Sequence, residues 1–182
     1  DVNCNEPELV NDPQCTDPDS PGDTNAFDGE LGGLLNFVFW TDDGDNVLET
    51  EETIIASGSA KNVLDSDIIL ADSIENNVGG NDGDPLNGGQ TYFIGKAWCF
   101  GTLTQNPVVQ GLGVNPIVDS GVLCDGSSIN NASQTDSVMA DLSFSAVQHR
   151  NNPNFTCDGT EPSITPTNTP TPTPLACQQA DV

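Results

Sequence analysis

The chain has 182 residues, of which 28 are Asp or Glu and three are Lys or Arg, giving a formal net charge of −25. A chain of this length can bury most of its apolar surface in one domain. The charge would repel phosphate backbones and anionic lipid headgroups, which excludes nucleic-acid binding. No apolar run approaches the roughly 18 residues that span a membrane, so we expect no direct membrane insertion, and any export signal would lie outside this chain.

The cysteines form an even set with no CxxC pair and no neighbouring histidine, which predicts disulfides rather than zinc or haem ligands. Disulfides, two glycosylation-type sequons at Asn131 and Asn154, and a nearly Lys-free composition favour a secreted or cell-surface location. The sequons are a weak signal, since they also arise by chance in Asn-rich chains. The sequence does not fix the connectivity, but proximity along the chain favours the pairs Cys4–Cys15, Cys99–Cys124 and Cys157–Cys177.

Composition divides the chain into three parts. Residues 1–30 are rich in Asp, Asn, Pro and Gly and predict an irregular acidic lead-in stapled by a disulfide. Residues 31–158 carry the apolar runs and predict a β-domain. Residues 159–182 include a Thr/Pro repeat that predicts an extended, polyproline-like tail, acting as a linker or stalk.

Within the β-domain, residues 34–40 (LLNFVFW) form a compact run of β-formers and predict a buried strand at the centre of a sheet. Residues 53–57, 68–71 and 90–100 are further predicted strands, separated by segments rich in Gly, Asn, Asp and Pro. Residues 61–73 are ambiguous and could carry a helical turn.

The clearest alternation of apolar and polar residues lies at 137–148, which predicts a half-buried antiparallel strand. Its apolar face would carry Val138, Ala140, Leu142, Phe144 and Ala146. Short strands joined by turn-rich segments predict an all-β fold, an antiparallel β-sandwich of jelly-roll type.

An acidic loop, residues 42–52 (DDGDNVLETEE), follows the strongest predicted strand. Ca²⁺ takes six to eight oxygen ligands, and closely spaced carboxylates around a glycine turn can supply them. The candidate ligands are Asp42, Asp43, Asp45, Glu49 and Glu52, with the Val47 carbonyl as a further donor. The alternative is a hairpin turn in which Gly44 and Asn46 take positive φ angles and the acids face water. Repulsion among packed carboxylates favours the ion, although the spacing is not that of an EF-hand.

Catalysis has little support in the sequence. His149 is the only histidine, and no pattern of a metalloprotease, serine hydrolase or phosphate-binding loop occurs. We therefore expect a protein that is not an enzyme. A hydrolase that uses two carboxylates is the last-ranked alternative, because 28 acids offer many pairs and the sequence gives no geometry.

Several strings occur in order between residues 37 and 157: FVFWTDDGDNVLETEE, LADS, GGQTYFIGKAWCFGTL, CDGSSINNASQTDS and DLSFSAVQHRNNPNFTC. Together they resemble the secreted bacterial proteins of the TasA and camelysin type. The resemblance implies a jelly-roll domain at the cell exterior that polymerises into matrix fibres by inserting a strand of one copy into the next. The apolar donor segment of that family has no counterpart before Leu31. Either the chain is a processed or partial product, or copies contact one another through another segment, such as the Thr/Pro tail with Leu175, Ala176 and Cys177.

The resemblance therefore predicts a structural subunit of a surface or biofilm-matrix filament, with further copies of itself as partner and other matrix components as possible neighbours. The peptidase activity described for some family members has no matching metal-ligand motif here and is not carried over. The alternative is a monomeric adhesin or carbohydrate-binding module displayed on the Thr/Pro stalk. Its stacking platforms would be Trp40, Tyr92 or Trp98, although such aromatic residues are more often core.

Overall fold

A computed structural model describes residues 30–112, 115–134 and 136–157. These residues divide into two compact units, the first made of 30–67 and 92–140 and the second of 68–91 and 141–157. The predicted lead-in, its cysteines Cys4 and Cys15, the Thr/Pro tail and Cys177 lie outside the described residues. Within the described ranges, no helix has the length and apolar character that a membrane span requires.

The first unit consists of short antiparallel strands with two single-turn helices. A three-stranded sheet has the order β2-β1-β3, and a separate two-stranded sheet pairs β4 with β5. The elements in chain order are α1 (Leu31–Leu34), β1 (Leu35–Asp42), β2 (Ile54–Ser59), α2 (Ala60–Val63), β3 (Phe93–Phe100), β4 (Thr102–Gln105) and β5 (Val122–Asp125).

Strand β1 is the centre of the larger sheet, as the apolar run at 34–40 predicts. It pairs with β2 on one side and with β3 on the other. The side chains of Val38 and Trp40 are fully buried. They form a core with Leu48, and partly buried apolar residues of the neighbouring strands pack against it: Ile54, Ala97, Leu103 and Val122. Because Leu103 and Val122 belong to β4 and β5, the smaller sheet packs on this core face of the larger one.

The core depends on the glycine opposite Trp40. Gly95 of β3 is the register partner of Trp40, and a Cβ at that position would collide with the indole ring. The missing side chain lets the ring lie directly against the β3 backbone. A close approach of this kind is one reason for a glycine inside a strand.

The opposite face of the larger sheet is also apolar. Residues paired directly across antiparallel strands share a face, and the register pairs Leu35 with Phe100, Phe37 with Trp98, and Phe39 with Lys96. We call these six residues the aromatic face. The rings of Phe37 and Phe39 stack with centroids 6.1 Å apart and planes 9° from parallel.

Helix α2 covers only one side of the aromatic face. A Cβ built on Gly58 of β2, the register partner of Phe37, would lie 3.3 Å from Val63. Val63 is itself buried, and so is Phe39. On the β3 side, in contrast, Trp98 is 61% exposed and Phe100 is 36% exposed. The face thus runs from a covered β2 side to an open β3 side.

The disulfide Cys99–Cys124, one of the predicted pairs, joins β3 to β5 and so links the two sheets. Strands β4 and β5 pair antiparallel from Thr102 with Asp125 to Gln105 with Val122. Neither strand follows from the sequence pattern, because both are only four residues long. The regular secondary structure of the described residues therefore consists mainly of antiparallel strands with few helical turns, as the sequence pattern predicts.

Two strand predictions are wrong. Residues 68–71 form no strand, and Ala71 makes only an isolated bridge to Asn76. Residues 137–148 form no strand either, apart from a bridge at Ser145. The side chains of Met139, Leu142 and Phe144 are 96%, 73% and 60% exposed. Alternation shows which residues could share a face, but a strand forms only where another strand supplies hydrogen-bond partners.

In the second unit, the Asp72 carboxylate joins two segments that are distant in sequence. Its Oδ1 accepts hydrogen bonds from the backbone N–H groups of Ile74 and Glu75, at 2.7 and 3.0 Å. Its Oδ2 accepts one from the N–H of Cys157 at 3.1 Å. The N–H of Ser73 donates to the Phe155 carbonyl at 2.9 Å.

Candidate metal site

The acidic loop joins β1 to β2. Its first residue, Asp42, contacts the core residue Trp40. The indole N–H of Trp40 donates to Asp42 Oδ1 at 3.3 Å. The same carboxylate accepts hydrogen bonds from the backbone N–H groups of Gly44 and Asn46, at 2.9 and 3.0 Å. Gly44 has a φ of 121° and Asn46 a φ of 59°. These are the left-handed conformations that glycine and asparagine tolerate best in turns.

The loop also contacts the outer edge of β3. The side-chain carbonyl of Asn46 accepts a 2.9 Å hydrogen bond from the Lys96 N–H. The ring of Phe93 lies against Gly44, where an added Cβ would meet it at 3.3 Å. The turn is therefore fixed to the sheet on both sides, through Asp42 on β1 and through Asn46 on β3.

Glu49 is the most deeply buried acid of the described residues, with 1% of its surface exposed. Its carboxylate accepts hydrogen bonds from the Gln110 side-chain amide at 2.5 Å and from the Gly111 N–H at 2.7 Å. The backbone on either side is held too, since the Leu48 and Thr50 N–H groups donate to the Ser120 and Val108 carbonyls. A buried carboxylate needs such donors to replace the hydrogen bonds that it loses to water.

Glu52 folds back over the loop. Its Oε1 accepts a hydrogen bond from the Asp43 N–H at 3.1 Å, and its Oε2 accepts one from the Glu49 N–H at 2.8 Å. Burial raises the pKa of the Glu52 carboxyl above its ordinary value. The two N–H donors oppose this shift, and the negative charges of Asp42 and Glu49 add to it. The loop therefore holds its carboxylates close enough to repel one another.

All five predicted ligands lie together, in two groups that share one residue. Asp42, Asp43 and Glu52 form one group, and Asp43, Asp45 and Glu49 form the other. Within each group, one oxygen of every carboxylate lies within 4.8 Å of the others. Asp43 is the shared member and is exposed. Acidic groups so arranged could hold a metal ion.

The geometry also contains the features of the alternative hairpin. Gly44 and Asn46 have positive φ angles, and the carboxylates accept backbone N–H groups, including that of Val47 on Asp45 Oδ1 at 2.8 Å. The turn is thus organised by protein donors. A carboxylate oxygen has a second lone pair, so these hydrogen bonds do not by themselves prevent the carboxylates from binding a cation.

The sequence pattern misses the residues that close the site from outside the loop. Gln110 lies 61 positions from Glu49, and Gly111 lies 62 positions away. No local spacing signals either one. The isolated parallel bridge between Glu49 and Val108 brings that segment alongside.

The other candidate residues differ in their exposure. His149 is exposed and begins a 3₁₀ turn, His149–Asn151. The sequon residues Asn131 and Asn154 are both exposed. Of the three platform candidates, Trp40 is core, Tyr92 is partly buried and Trp98 is largely exposed.

Comparison of the chain with protein-family models, with curated proteins and with solved structures finds no match.

Proposed function

We propose that the protein is a subunit of an extracellular filament, at the cell surface or in a biofilm matrix, in which copies add strands to one another. The single observation that carries the proposal is the strand order β2-β1-β3, in which β2 has β1 as its only strand neighbour among the described residues. A strand with one neighbour presents unpaired N–H and C=O groups to another chain. A jelly-roll sandwich completed in this way agrees with the antiparallel sheets of the first unit.

The two outer strands of this sheet differ. At β3, the Asn46 side chain already occupies the Lys96 N–H, and the acidic loop passes beside the strand. At β2, which spans Ile54–Ser59, five of the six residues pair with β1, and no other described strand pairs with β2. Strand addition therefore favours the β2 edge. The Cys99–Cys124 disulfide is compatible with the oxidising exterior where such filaments assemble.

Electron microscopy of the purified chain tests this function. We expect filaments for the unmodified protein and a strong loss of filaments for Ser57→Lys, which places a charge at an exposed position of β2. Gln90→Lys adds the same charge at an exposed position outside the sheet and should leave assembly intact. Dispersed monomers of the unmodified protein, with and without Ca²⁺, would contradict the proposal.

We further infer that the acidic loop takes Ca²⁺ and that the ion has a structural role. The support is the convergence of five carboxylates in two groups that share Asp43. The raised pKa of Glu52 adds to it, since a divalent cation would relieve the repulsion that contributes to this shift. The loop is the connection between β1 and β2, so an ion there would stabilise the proposed assembly edge.

A further inference from the structure

The aromatic face is unusual for the exposed side of a sheet. Within this sheet, Val38, Trp40 and Ile54 pack into the core, and Phe39 is buried. Trp98 and Phe100, in contrast, stand 61% and 36% exposed at neighbouring positions on the same side of β3. The ring of Phe37 lies across from Trp98 in the register. Contiguous exposed apolar groups of this kind mark interaction sites.

The β3 side of the aromatic face is held in place by several contacts. Strand β3 is paired with β1 along all eight of its residues. The residue after Trp98, Cys99, is bonded to Cys124, and the Lys96 N–H is held by Asn46 on the other edge. A surface that loses little freedom on binding gains affinity from that preorganisation.

The charge of the aromatic face and of the whole chain limits which partners the face can bind. Lys96 is the only charged member of the aromatic face and one of three basic residues in a chain of net charge −25. Among the described residues its side chain forms no ion pair. A polyanion would be repelled by the chain as a whole, and one lysine does not offset that repulsion. A second copy is assigned to the β2 edge in the filament proposed above, which leaves the aromatic face for a different partner.

An uncharged polymer with flat C–H faces has no such electrostatic cost. Pyranose rings present faces of this kind, and indole and phenyl rings supply the matching negative π-surface. The lysine ammonium offers three hydrogen-bond donors that suit sugar hydroxyls. We propose that the aromatic face binds a neutral polysaccharide, whose rings stack on Trp98 and Phe100 while Lys96 donates to its hydroxyl groups. This goes beyond filament assembly, which uses the β2 edge, and either proposal can fail without the other.

Affinity electrophoresis of the full chain in gels containing a neutral β-glucan, dextran or galactomannan tests the proposal. We expect retardation by at least one of them, and Trp98→Ala should weaken it by about tenfold or more, as the loss of a stacking aromatic does. Phe93→Ala is the matched control, since Phe93 is 48% exposed on the same strand but faces the opposite side. It should retain binding.

Intrinsic fluorescence provides a second measurement and a check on folding. Trp40 is fully buried and Trp98 largely exposed, so acrylamide quenching should report on Trp98, and the bound polysaccharide should protect it. Unchanged Trp40 emission in Trp98→Ala shows that the core is intact. The proposal is overturned if no neutral polysaccharide retards the chain, or if only an anionic one such as alginate does. Equal losses in both variants, or self-association that requires Trp98 without glycan binding, would overturn it as well.

Discussion

The side-chain amide of Gln110 donates a 2.5 Å hydrogen bond to the carboxylate of Glu49, across 61 positions of the chain. Glu49 is 1% exposed, and its other oxygen accepts the Gly111 N–H at 2.7 Å. The acidic loop is therefore closed by a distant segment, which supplies both hydrogen-bond donors to the side chain of its buried glutamate.

Gln110→Ala should destabilise the first unit by about 1–3 kcal/mol, because it leaves a buried carboxylate without one of its two donors. Urea denaturation followed by circular dichroism measures this. Gln90→Ala, at an exposed position in the second unit, serves as the control and should change the free energy of unfolding by less than about 0.5 kcal/mol. An equal midpoint for both variants would show that the Gln110 contact adds nothing.

Ca²⁺ should raise the unfolding temperature of the unmodified chain, since a ligand that binds only the folded state at 100 times its Kd stabilises it by about 2.7 kcal/mol. Asp43→Asn should abolish this shift, because Asp43 belongs to both carboxylate groups. Asp65→Asn removes an equal charge at an exposed position outside the loop and should keep the shift. Calorimetry without heat of binding, or melting unaffected by EDTA, would reduce the loop to a hairpin turn.

The Glu52 carboxyl gives the loop a defined pH dependence. Its pKa in the folded state is raised above the ordinary 4.5, first by burial, so the folded state holds the proton more tightly than the unfolded state. The stabilising contribution is complete below pH 4.5 and is lost as the pH rises through the folded pKa. Urea midpoints measured upward from about pH 4.5 should therefore fall more steeply for the unmodified protein than for Glu52→Gln.

Asp125 serves as a control because its pKa is shifted in the opposite direction to that of Glu52. The Ser127 side chain, followed by the Ser127 backbone N–H, lowers the pKa of its carboxyl below the ordinary 3.8. That contribution is present above pH 3.8 and is lost only as the pH falls through the folded pKa, so Asp125→Asn should leave the slope above pH 4.5 unchanged. Parallel curves for the Glu52→Gln variant and the unmodified protein would contradict the role of Glu52.

Gly95→Ala should be among the most damaging single-methyl changes in the chain. The added Cβ would collide with the Trp40 indole, and Trp40 is fully buried, so the ring or the strand must move at a cost of about 3 kcal/mol. Urea denaturation and the Trp40 emission wavelength measure it. Gly88→Ala, with no atom within 4 Å of its added Cβ, should be close to neutral. If the two alanine variants are equally stable, the close packing of Trp40 on β3 is not limiting.

The parts of the fold that could be predicted are those encoded by neighbouring residues. The run at 34–40 specifies β1 because six of its seven residues are apolar. The five carboxylates converge because the loop containing them is short. Strands β4 and β5 could not be predicted, since each needs the other and the intervening segment is long. The contact from Gln110 was missed for the same reason.

The burial of the two tryptophans and the structure of residues 137–148 depend on contacts between segments that are distant in sequence. Trp40 and Trp98 both lie in apolar strand patterns, yet the register places one in the core and the other on the aromatic face. Residues 137–148 alternate more regularly than β3 but form no strand, because regular alternation supplies no hydrogen-bond partner. Periodicity therefore identified the residues that could be buried, but it did not show which segments pair with another strand.

The Cys99–Cys124 bridge also determines how the chain would respond to tension. Its two cysteines are 25 positions apart with Cα atoms separated by 5.4 Å, so a pulling force passes through the sulfur atoms and bypasses the intervening segment. At about 3.4 Å for each extended residue, the bridge withholds roughly 80 Å of contour length. That segment contains Gln110 and Gly111, the two donors to Glu49. A load applied to the strands on either side would leave it unstretched until the disulfide is reduced.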